Sequence, residues 1–147
     1  MKTRDPNWII SAYHAENGNN KEKWEKVNST LDNLNDAYKW PKVVYLDINT
    51  DVNHQKFKEW ESTLPARGWN IHKSNEWTRK GKARQKVTNI DIILTHNVPS
   101  DRTVVKTGRF NEIISDHKPI YVDISNLDFI SDNILERDLI IDKGKLK

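Results

Sequence analysis

The sequence predicts one mixed α/β (α+β) domain, and three observations support this class. In the first half, two apolar runs of strand length alternate with two stretches whose apolar residues recur every three or four positions. In the second half, short extended runs are separated by polar and basic loops. The chain has 147 residues, of which 35% are hydrophobic, and this suffices for one modest core.

The first half is predicted to begin with a strand, a helix and a second strand. Residues Trp8–Tyr13 form a compact apolar run that ends at an Asn/Gly cluster, as is typical of a strand followed by a turn. Residues Lys21–Tyr38 carry apolar side chains at helical spacing, and Pro41 ends that helix because proline lacks a backbone donor. Residues Val43–Leu46 are continuously apolar, which indicates a strand buried on both faces.

A second, shorter helix follows this strand. Asp51 or Asn53 is the predicted N-cap, and Pro65 and Gly68 close the segment. The apolar residues on its inner face are Phe57, Trp60 and Leu64.

The second half is predicted to be mostly sheet. We assign residues 1–126 to the domain and residues 127–147 to a charged C-terminal extension with one apolar insert, Leu139–Ile141. The predicted strands are Trp69–His72, Val87–Thr95, Thr103–Lys106 and Pro119–Ile124.

Composition excludes several classes of protein. The absence of cysteine excludes disulfides, thiol nucleophiles and Cys-ligated zinc. No apolar run approaches the ~20 residues of a membrane span, and the N-terminal residues lack the apolar stretch of a signal peptide, so we expect a cytoplasmic protein. A net charge of +3 suits a partner that bears phosphate, although a charge this small does not identify one.

Three acidic residues border apolar strands, where active sites often display their side chains. They are Asp47 after the second predicted strand, Asp91 within the Val87–Thr95 run, and Asp116 just before the last strand. A carboxylate in apolar surroundings is costly to bury unless it is hydrogen-bonded, paired or bound to a cation. Taken singly, each is as well explained by a bond to a nearby backbone amide.

Four segments, in this order, resemble the endonuclease/exonuclease/phosphatase superfamily of DNase-I-like, metal-dependent phosphodiesterases. The likeness extends over Trp8–Ile124 and implies half of a DNase-I-like α/β sandwich, with a mixed, mostly antiparallel sheet and two helices. The four segments are Ser11-Ala12-Tyr13, Tyr45-Leu46-Asp47-Ile48-Asn49, Thr78-Arg79 with Asn89–Leu94, and Ser115-Asp116-His117-Lys118-Pro119-Ile120.

The resemblance implies roles for individual residues around one phosphate. It implies that Asp47 orients or deprotonates the attacking water, that Asn49 donates a hydrogen bond to the phosphate, and that Tyr13 faces the phosphate. It places His117 beside the scissile bond. Asp91 would fix the tautomer of His117, and this pairing is also chemically sound by itself, because a carboxylate on one ring nitrogen raises the basicity of the other.

The resemblance also implies a divalent cation, Mg²⁺ or Mn²⁺, held by Asp116. Oxygen ligands suit these ions and disfavour zinc. The chain begins near the midpoint of the family domain, so the glutamate that is the family's principal metal ligand has no counterpart here. Glu16 and His14 are the candidate replacements, and Leu46 stands where the family has glycine.

Basic residues are concentrated between the third segment's Thr-Arg pair and the strand that carries Asp91. The predicted substrate-binding residues are Arg79, Lys82, Arg84 and Lys86. They would contact the phosphate backbone of a nucleic acid and add affinity without sequence specificity. A solvated basic loop is the alternative interpretation. Trp77 beside it is a candidate for stacking on a base.

These features together predict a divalent-metal-dependent phosphodiesterase, an endonuclease that hydrolyses the phosphodiester bonds of DNA, with DNA favoured over RNA as the partner. Two alternatives stay open. One is a catalytically impaired module that binds nucleic acid or protein. The other is one half of a split nuclease that needs a second chain. Because half a sandwich leaves a sheet face or strand edge uncovered, we also expect a homodimer or a partner chain over it, with the seam at Trp8–Ile10. The alternative cover is the Leu127–Lys147 tail of the same chain.

Overall fold

The computed structural model describes residues 8–82, 86–98 and 103–124. The two helices are α1 (Lys21–Ala37) and α2 (Gln55–Glu61), and a short 3₁₀ turn (Pro65–Arg67) follows α2. The strands are β1 (Ile9–His14), β2 (Lys42–Asp47), β3 (Trp69–Lys73), β4 (Arg79–Lys80), β5 (Val87–Thr88), β6 (Asp91–His96), β7 (Thr103–Thr107) and β8 (Ile120–Ile124). The predicted extension 127–147 lies outside the described residues.

A mixed four-stranded sheet forms the centre of the molecule, in the order β1-β2-β6-β3. Strand β1 runs parallel to β2, and the other two neighbouring pairs are antiparallel. Strands β4 and β5 form one small hairpin-like pair, and β7 and β8 form another. The predicted fold class, a mostly antiparallel mixed sheet with two helices, is confirmed.

The helices cover one face of this sheet. Helix α1 begins at Asn20, whose Oδ1 accepts a hydrogen bond from the backbone N–H of Lys23 at 2.9 Å, and it buries Val27 and Leu31. The sheet residues packed against the helices are Val44, Leu46, Ile92 and Leu94. The N-cap of helix α2 is His54 rather than the predicted Asp51 or Asn53. The imidazole Nδ1 caps the helix by accepting a hydrogen bond from Lys56 N at 3.0 Å.

The opposite face of the sheet is covered by strands β7 and β8. Because side chains alternate along a strand, every second residue of β2 and β6 points to this face. These residues include Val43, Tyr45 and Ile93, which pack with Ile120 and Val122 of β8. The expectation of an uncovered sheet face is therefore wrong, because β7 and β8 of the same chain cover this face.

The second layer does not bury all of β1, an edge strand. Ile10 is 42% exposed, and Ala12 and His14 are also exposed. Trp8 packs against the apolar cluster of that layer. Whether a second chain covers this edge stays a prediction.

Two predicted boundaries change. The Val87–Thr95 run is divided, because Asn89 turns away from the ladder and its amide N–H donates to Asp51 Oδ2 at 3.0 Å. The start of the predicted basic loop, Arg79–Lys80, is a strand that pairs with Val87–Thr88. Among the described residues, no helix is both long enough and apolar enough to cross a membrane.

Candidate active site

Two buried carboxylates lie opposite each other at one end of the central sheet. Asp47 is the last residue of β2, Asp91 is the first residue of β6, and the antiparallel register pairs them. Both are fully buried. By strand alternation both side chains point away from the helices, on the same face as Tyr45. The sheet thus presents two acids at one end of one face.

Asp91 is held by two hydrogen bonds. Tyr45 donates its hydroxyl to Asp91 Oδ1 at 2.5 Å, and His117 Nδ1 lies 2.7 Å from Asp91 Oδ2. An ionised carboxylate can only accept, so in the pair with an ionised Asp91 the shared proton lies on Nδ1, and Nε2 is the ring nitrogen that faces Asp116. The side chain of His117 is 3% exposed. The hydrogen bond expected between Asp91 and His117 is therefore present, in a buried setting.

Thr78 fixes the backbone around this pair. Its buried hydroxyl accepts hydrogen bonds from the amides of Ile90, at 3.0 Å, and Asp91, at 3.1 Å. Its carbonyl accepts from Lys118 N at 2.7 Å, and the amide of Lys80 donates to Asp116 O at 2.9 Å. The segment around Thr78 thus joins the start of β6 to the residues on both sides of His117.

Asp116 lies at the more open side of the cluster. Its Oδ1 is 3.6 Å from His117 Nε2, and its Oδ2 accepts a hydrogen bond from Arg79 Nε at 3.1 Å. The Asp116 side chain is 39% exposed. Substrate or solvent can therefore reach this carboxylate, whereas Asp47 and Asp91 are enclosed.

Asn49 and His14 complete the cluster beside Asp47. The backbone of Asn49 has a φ of 53°, which turns its amide N–H toward Asp47 Oδ1 at 3.1 Å. Its side-chain Nδ2 donates to Ala15 O at 2.7 Å and lies 2.9 Å from His14 Nε2. That same Nε2 is 3.6 Å from Asp47 Oδ2. The loop after β2 and the end of β1 therefore meet at Asp47.

The structure does not bring Tyr13 to this cluster, which corrects the expectation drawn from the resemblance. In the register with β2, Tyr13 lies beside Leu46 and His14 lies beside Asp47. Tyr13 accordingly packs with the core under the helices, on the other face of the sheet. Glu16 forms an ion pair with Lys26 of α1 at 3.3 Å. Of the two candidate replacement ligands, only His14 lies within the cluster.

The donor atoms of the cluster fit a divalent cation. Ligand atoms of Asp47, Asp91 and His117 all lie within 4.8 Å of one another. Both oxygens of Asp91 accept hydrogen bonds, which leaves Asp47 as the buried oxygen ligand of this group, and Asp116 adjoins the group with its Oδ1 3.6 Å from His117 Nε2. The carboxylates of Asp47, Asp91 and Asp116 meet in this cluster, and carboxylate oxygens are ligands that suit a divalent cation such as Mg²⁺.

The predicted substrate-binding residues divide into two groups. Arg79 contacts the cluster through Asp116. Lys82 and Lys86 are exposed, and neither forms an ion pair within the described part of the chain. Arg84 lies outside the described residues.

Trp77 is not an open platform for stacking on a base. The ammonium of Lys118 lies 4.0 Å from the centre of its ring, and Phe110 packs edge-on against it at 5.2 Å. Lys118 also donates to Glu76 at 2.9 Å, and this bond lowers the pKa of the Glu76 carboxyl. The indole therefore contributes to a packed cluster beside the site.

Lys23 joins the loop that follows His14 to the loop that carries Asn49. It is fully buried in the first turn of α1, and its ammonium donates to Gly18 O at 2.8 Å and to Thr50 Oγ1 at 2.5 Å. Burial lowers the pKa of Lys23 to about 8, against an opposing effect of Glu16. The sequence placed this lysine on the solvent face of α1, so its role was not foreseen.

Three residues of the site were missed as functional candidates or given no role. His14 was considered only as a metal ligand. Its position beside Asp47 depends on the register of β1 with β2, which the sequence of β1 does not reveal. Tyr45 was assigned to a buried strand, and its position two residues before Asp47 was the available signal for a shared face. Thr78 was part of a matched segment, but its hydrogen bonds to β6 depend on tertiary contacts.

Comparisons with known proteins give a partial fold likeness. No protein-family model matches the chain, and no curated protein matches it. The chain is similar to the solved structure of a mannosyl-6-phosphatase from Bacteroides thetaiotaomicron, with 18% identity and a TM-score of 0.49. It is also similar to an endonuclease/exonuclease/phosphatase family protein from the same organism, with 16% identity and a TM-score of 0.47.

These two likenesses concern part of each protein. They cover 78% and 76% of this chain, respectively. They cover 50% and 48% of the other chains, so this chain spans about half the length of the structures that it matches.

Proposed function

We propose that this chain is a divalent-metal-dependent phosphodiesterase whose preferred substrate is DNA. The observation that carries the proposal is the buried Asp91–His117 hydrogen bond of 2.7 Å, which leaves His117 Nε2 facing the accessible carboxylate of Asp116. A buried carboxylate–imidazole pair with a second carboxylate beside it is suited to proton transfer at a phosphate. Asp47 and Asn49 stand at the same end of the sheet.

The proposed roles follow from which atoms each side chain has available. Asp47 would accept a proton from the attacking water as the oxygen forms its bond to phosphorus; because its carboxylate is fully buried in the free chain, this role requires the site to open when substrate binds. Asn49 Nδ2 would donate a hydrogen bond to a phosphoryl oxygen in place of its present contact with His14 Nε2, since its other N–H is bonded to Ala15 O. His117 Nε2, when protonated, donates its proton to the leaving oxygen as the phosphorus–oxygen bond breaks, and Asp91 stabilises the charged ring. His14 is a second imidazole within reach of Asp47.

Asp116 and Asp47 would hold the cation, which the resemblance implies to be Mg²⁺ or Mn²⁺. When bound, such an ion withdraws negative charge from the phosphoryl oxygens. With few fixed protein ligands, the free chain is expected to bind Mg²⁺ weakly, and more tightly when a phosphate is also present. Titration calorimetry that gave tight Mg²⁺ binding to the free protein would contradict this ligand set.

The preference for DNA is supported by cations around the site. Lys80, Lys82, Lys86 and Arg109 are exposed, and within the described residues none of them forms an ion pair. Cations without acidic partners attract a polyanion more strongly than they attract a single phosphate group.

Plasmid nicking tests the proposal. Supercoiled DNA is incubated with the unaltered chain and Mg²⁺ or Mn²⁺, beside the His117→Ala and Asp116→Ala variants and the control Asp36→Ala, whose exposed carboxylate lies on α1. We expect nicking by the unaltered chain and the control, and its loss in both site variants. Equal nicking by all four proteins would indicate a contaminating nuclease. Oligonucleotide binding without any nicking would favour the non-catalytic module.

We further propose that a second copy of the chain, or a partner chain, covers the exposed edge at β1. The support is that Ile10, on an edge strand, is 42% exposed. Light scattering at micromolar concentration is expected to show a dimer that the Ile10→Lys variant disrupts. A strictly monomeric unaltered chain with full activity would contradict this proposal.

A further inference from the structure

A groove continues outward from Asp116. A cavity of about 500 Å³ is lined by Lys80, Lys82, Phe110 and Asp116, among others. A neighbouring space of about 750 Å³ shares Lys80, Phe110 and Glu112 with it and adds Arg109, Ile113 and Ile114, among others. The groove therefore begins at a carboxylate of the proposed site and ends at an apolar rim.

The apolar rim is unusually exposed. Ile113 is 91% exposed and Ile114 is 58% exposed, although both lie immediately before the Ser115–His117 segment of the site. The turn that presents them is held by Asn111, whose Oδ1 accepts from Ile113 N at 3.1 Å and whose carbonyl accepts from Ile114 N at 3.0 Å. The hydrogen-bonded turn thus directs two large apolar side chains into solvent, where they gain nothing for the fold.

Most cations of the groove form no ion pair with a described residue, although the carboxylates of Glu112 and Asp116 also line it. Arg79, Lys106 and Lys118 are each engaged by a carboxylate, whereas Lys80, Lys82 and Arg109 form no ion pair within the described residues. A groove that combines cations with an aromatic ring and aliphatic side chains complements a ligand with both a phosphate and a flat apolar group.

We propose that this groove binds the nucleotide that adjoins the scissile phosphate in a single-stranded or locally opened nucleic acid. Phe110 and the pair Ile113 and Ile114 contact its base, and Lys80 and Arg109 contact its outer phosphate. The inference deepens the proposed function and rests on it. The earlier prediction for the basic residues concerned phosphate contacts alone, whereas this proposal also assigns contacts to a base. Phe110 and the two isoleucines take the place of Trp77 as the residues that contact the base.

The test measures binding separately from hydrolysis. Fluorescence anisotropy of a labelled single-stranded oligonucleotide is recorded in the His117→Ala background, which prevents cleavage. We expect the Ile113→Ser/Ile114→Ser double variant to bind roughly 5- to 20-fold more weakly, as lost base contacts would cause. The control is Val104→Ser, because Val104 on β7 is also apolar and 53% exposed. It should bind like the background.

Salt dependence separates the two kinds of contact. The Lys80→Ala/Arg109→Ala double variant is expected to lower the slope of log affinity against log salt by roughly one to two. The isoleucine variant should leave that slope unaltered, as should Lys58→Ala, a control that removes an exposed lysine of α2. An unchanged slope in the Lys80→Ala/Arg109→Ala variant would overturn the assignment of the phosphate contact.

Two further outcomes would overturn the proposal. One is equal oligonucleotide affinity in the isoleucine variant and the background. The other is that the isoleucine variant loses binding to phosphatidylserine vesicles while it keeps binding to the oligonucleotide, which would identify the rim as a membrane contact.

Failure of the groove and failure of the proposed function can be distinguished with a small phosphodiester, bis(p-nitrophenyl) phosphate. Hydrolysis of this compound together with groove-independent oligonucleotide binding would refute the groove alone. Groove-dependent binding with no hydrolysis of either substrate would refute the proposed function and support the groove.

Discussion

The two faces of the central sheet differ in what their residues do, although the same strands supply both. On the helix face, β2 and β6 contribute Val44, Leu46, Ile92 and Leu94 to a closed apolar core. On the other face, the alternate residues begin as core but end in Asp47 and Asp91, with Tyr45 between the two environments. Because successive side chains of a strand lie on opposite faces, the residues that stabilise the core and the residues of the proposed site lie on different faces of the same strands.

This comparison predicts that variants on the two faces will have separable effects. The residues under the helices should govern the free energy of unfolding. Those at the polar end should govern turnover, with a smaller effect on folding.

The largest effect is expected from Asp91→Asn. This change keeps the size of the side chain but removes the charge that stabilises a protonated His117, so kcat should fall by roughly 10²- to 10⁴-fold. The measurement is the hydrolysis of bis(p-nitrophenyl) phosphate at saturating substrate. A variant that retains more than half of the activity would remove Asp91 from the proposed mechanism.

On the helix face, Leu94→Ala is expected to reduce the free energy of unfolding by about 2–5 kcal/mol, because it removes a fully buried side chain from a closed core. Urea unfolding followed by tryptophan fluorescence measures this loss. Under conditions where the variant stays folded, its kcat should be close to that of the unaltered chain. A kcat loss as large as that of Asp91→Asn would show that the two faces are not separable.

Tyr45→Phe tests the boundary between the faces. It leaves the packed ring in place and removes the donor to Asp91 Oδ1, which costs about 1–3 kcal/mol for a buried acceptor. We expect roughly a 10-fold fall in kcat with little change in KM, since Tyr45 orients Asp91 and does not touch the substrate. An equal effect on KM and kcat would contradict a positioning role.

The smallest effect concerns pH and Lys23. Its pKa in the folded chain is about 8, below the ordinary value of 10.5, so the unfolded chain binds more protons between these values. Stability should therefore rise with pH across this interval, by at most about 1.4 kcal/mol per pH unit for one group.

The Lys23→Met variant provides the control for this slope. It should reduce the rise without abolishing it, because burial also lowers the pKa of Lys42. A Lys23→Met variant with the same pH dependence as the unaltered chain would show that Lys23 does not titrate in the folded state within this interval.

The sequence was sufficient where local periodicity determines structure. Helix α1 was predicted within one residue of its observed bounds, and the strands that bear Asp47 and Asp91 were located from apolar runs. Asp91 and His117, which are distant in the sequence, were also expected to meet, because the family resemblance places both residues around one phosphate.

What could not be predicted depends on strand register. Tyr13 and His14 are adjacent, and they point to opposite faces of a half-exposed edge strand whose own residues do not reveal which face carries the site. Only the pairing of His14 with Asp47 decides it. The short β4–β5 pairing was missed for a similar reason, since two-residue strands carry no period to detect.

The central claim is that the polar end of the sheet hydrolyses a phosphodiester with the help of a metal. The most direct test is the rate of bis(p-nitrophenyl) phosphate hydrolysis by the purified chain, measured with millimolar Mn²⁺ and again with excess EDTA, beside His117→Ala prepared in the same way. We predict hydrolysis by the unaltered chain that depends on Mn²⁺ and falls at least about 100-fold in His117→Ala. Equal rates for the two proteins, or a rate that EDTA leaves unchanged, would contradict the claim.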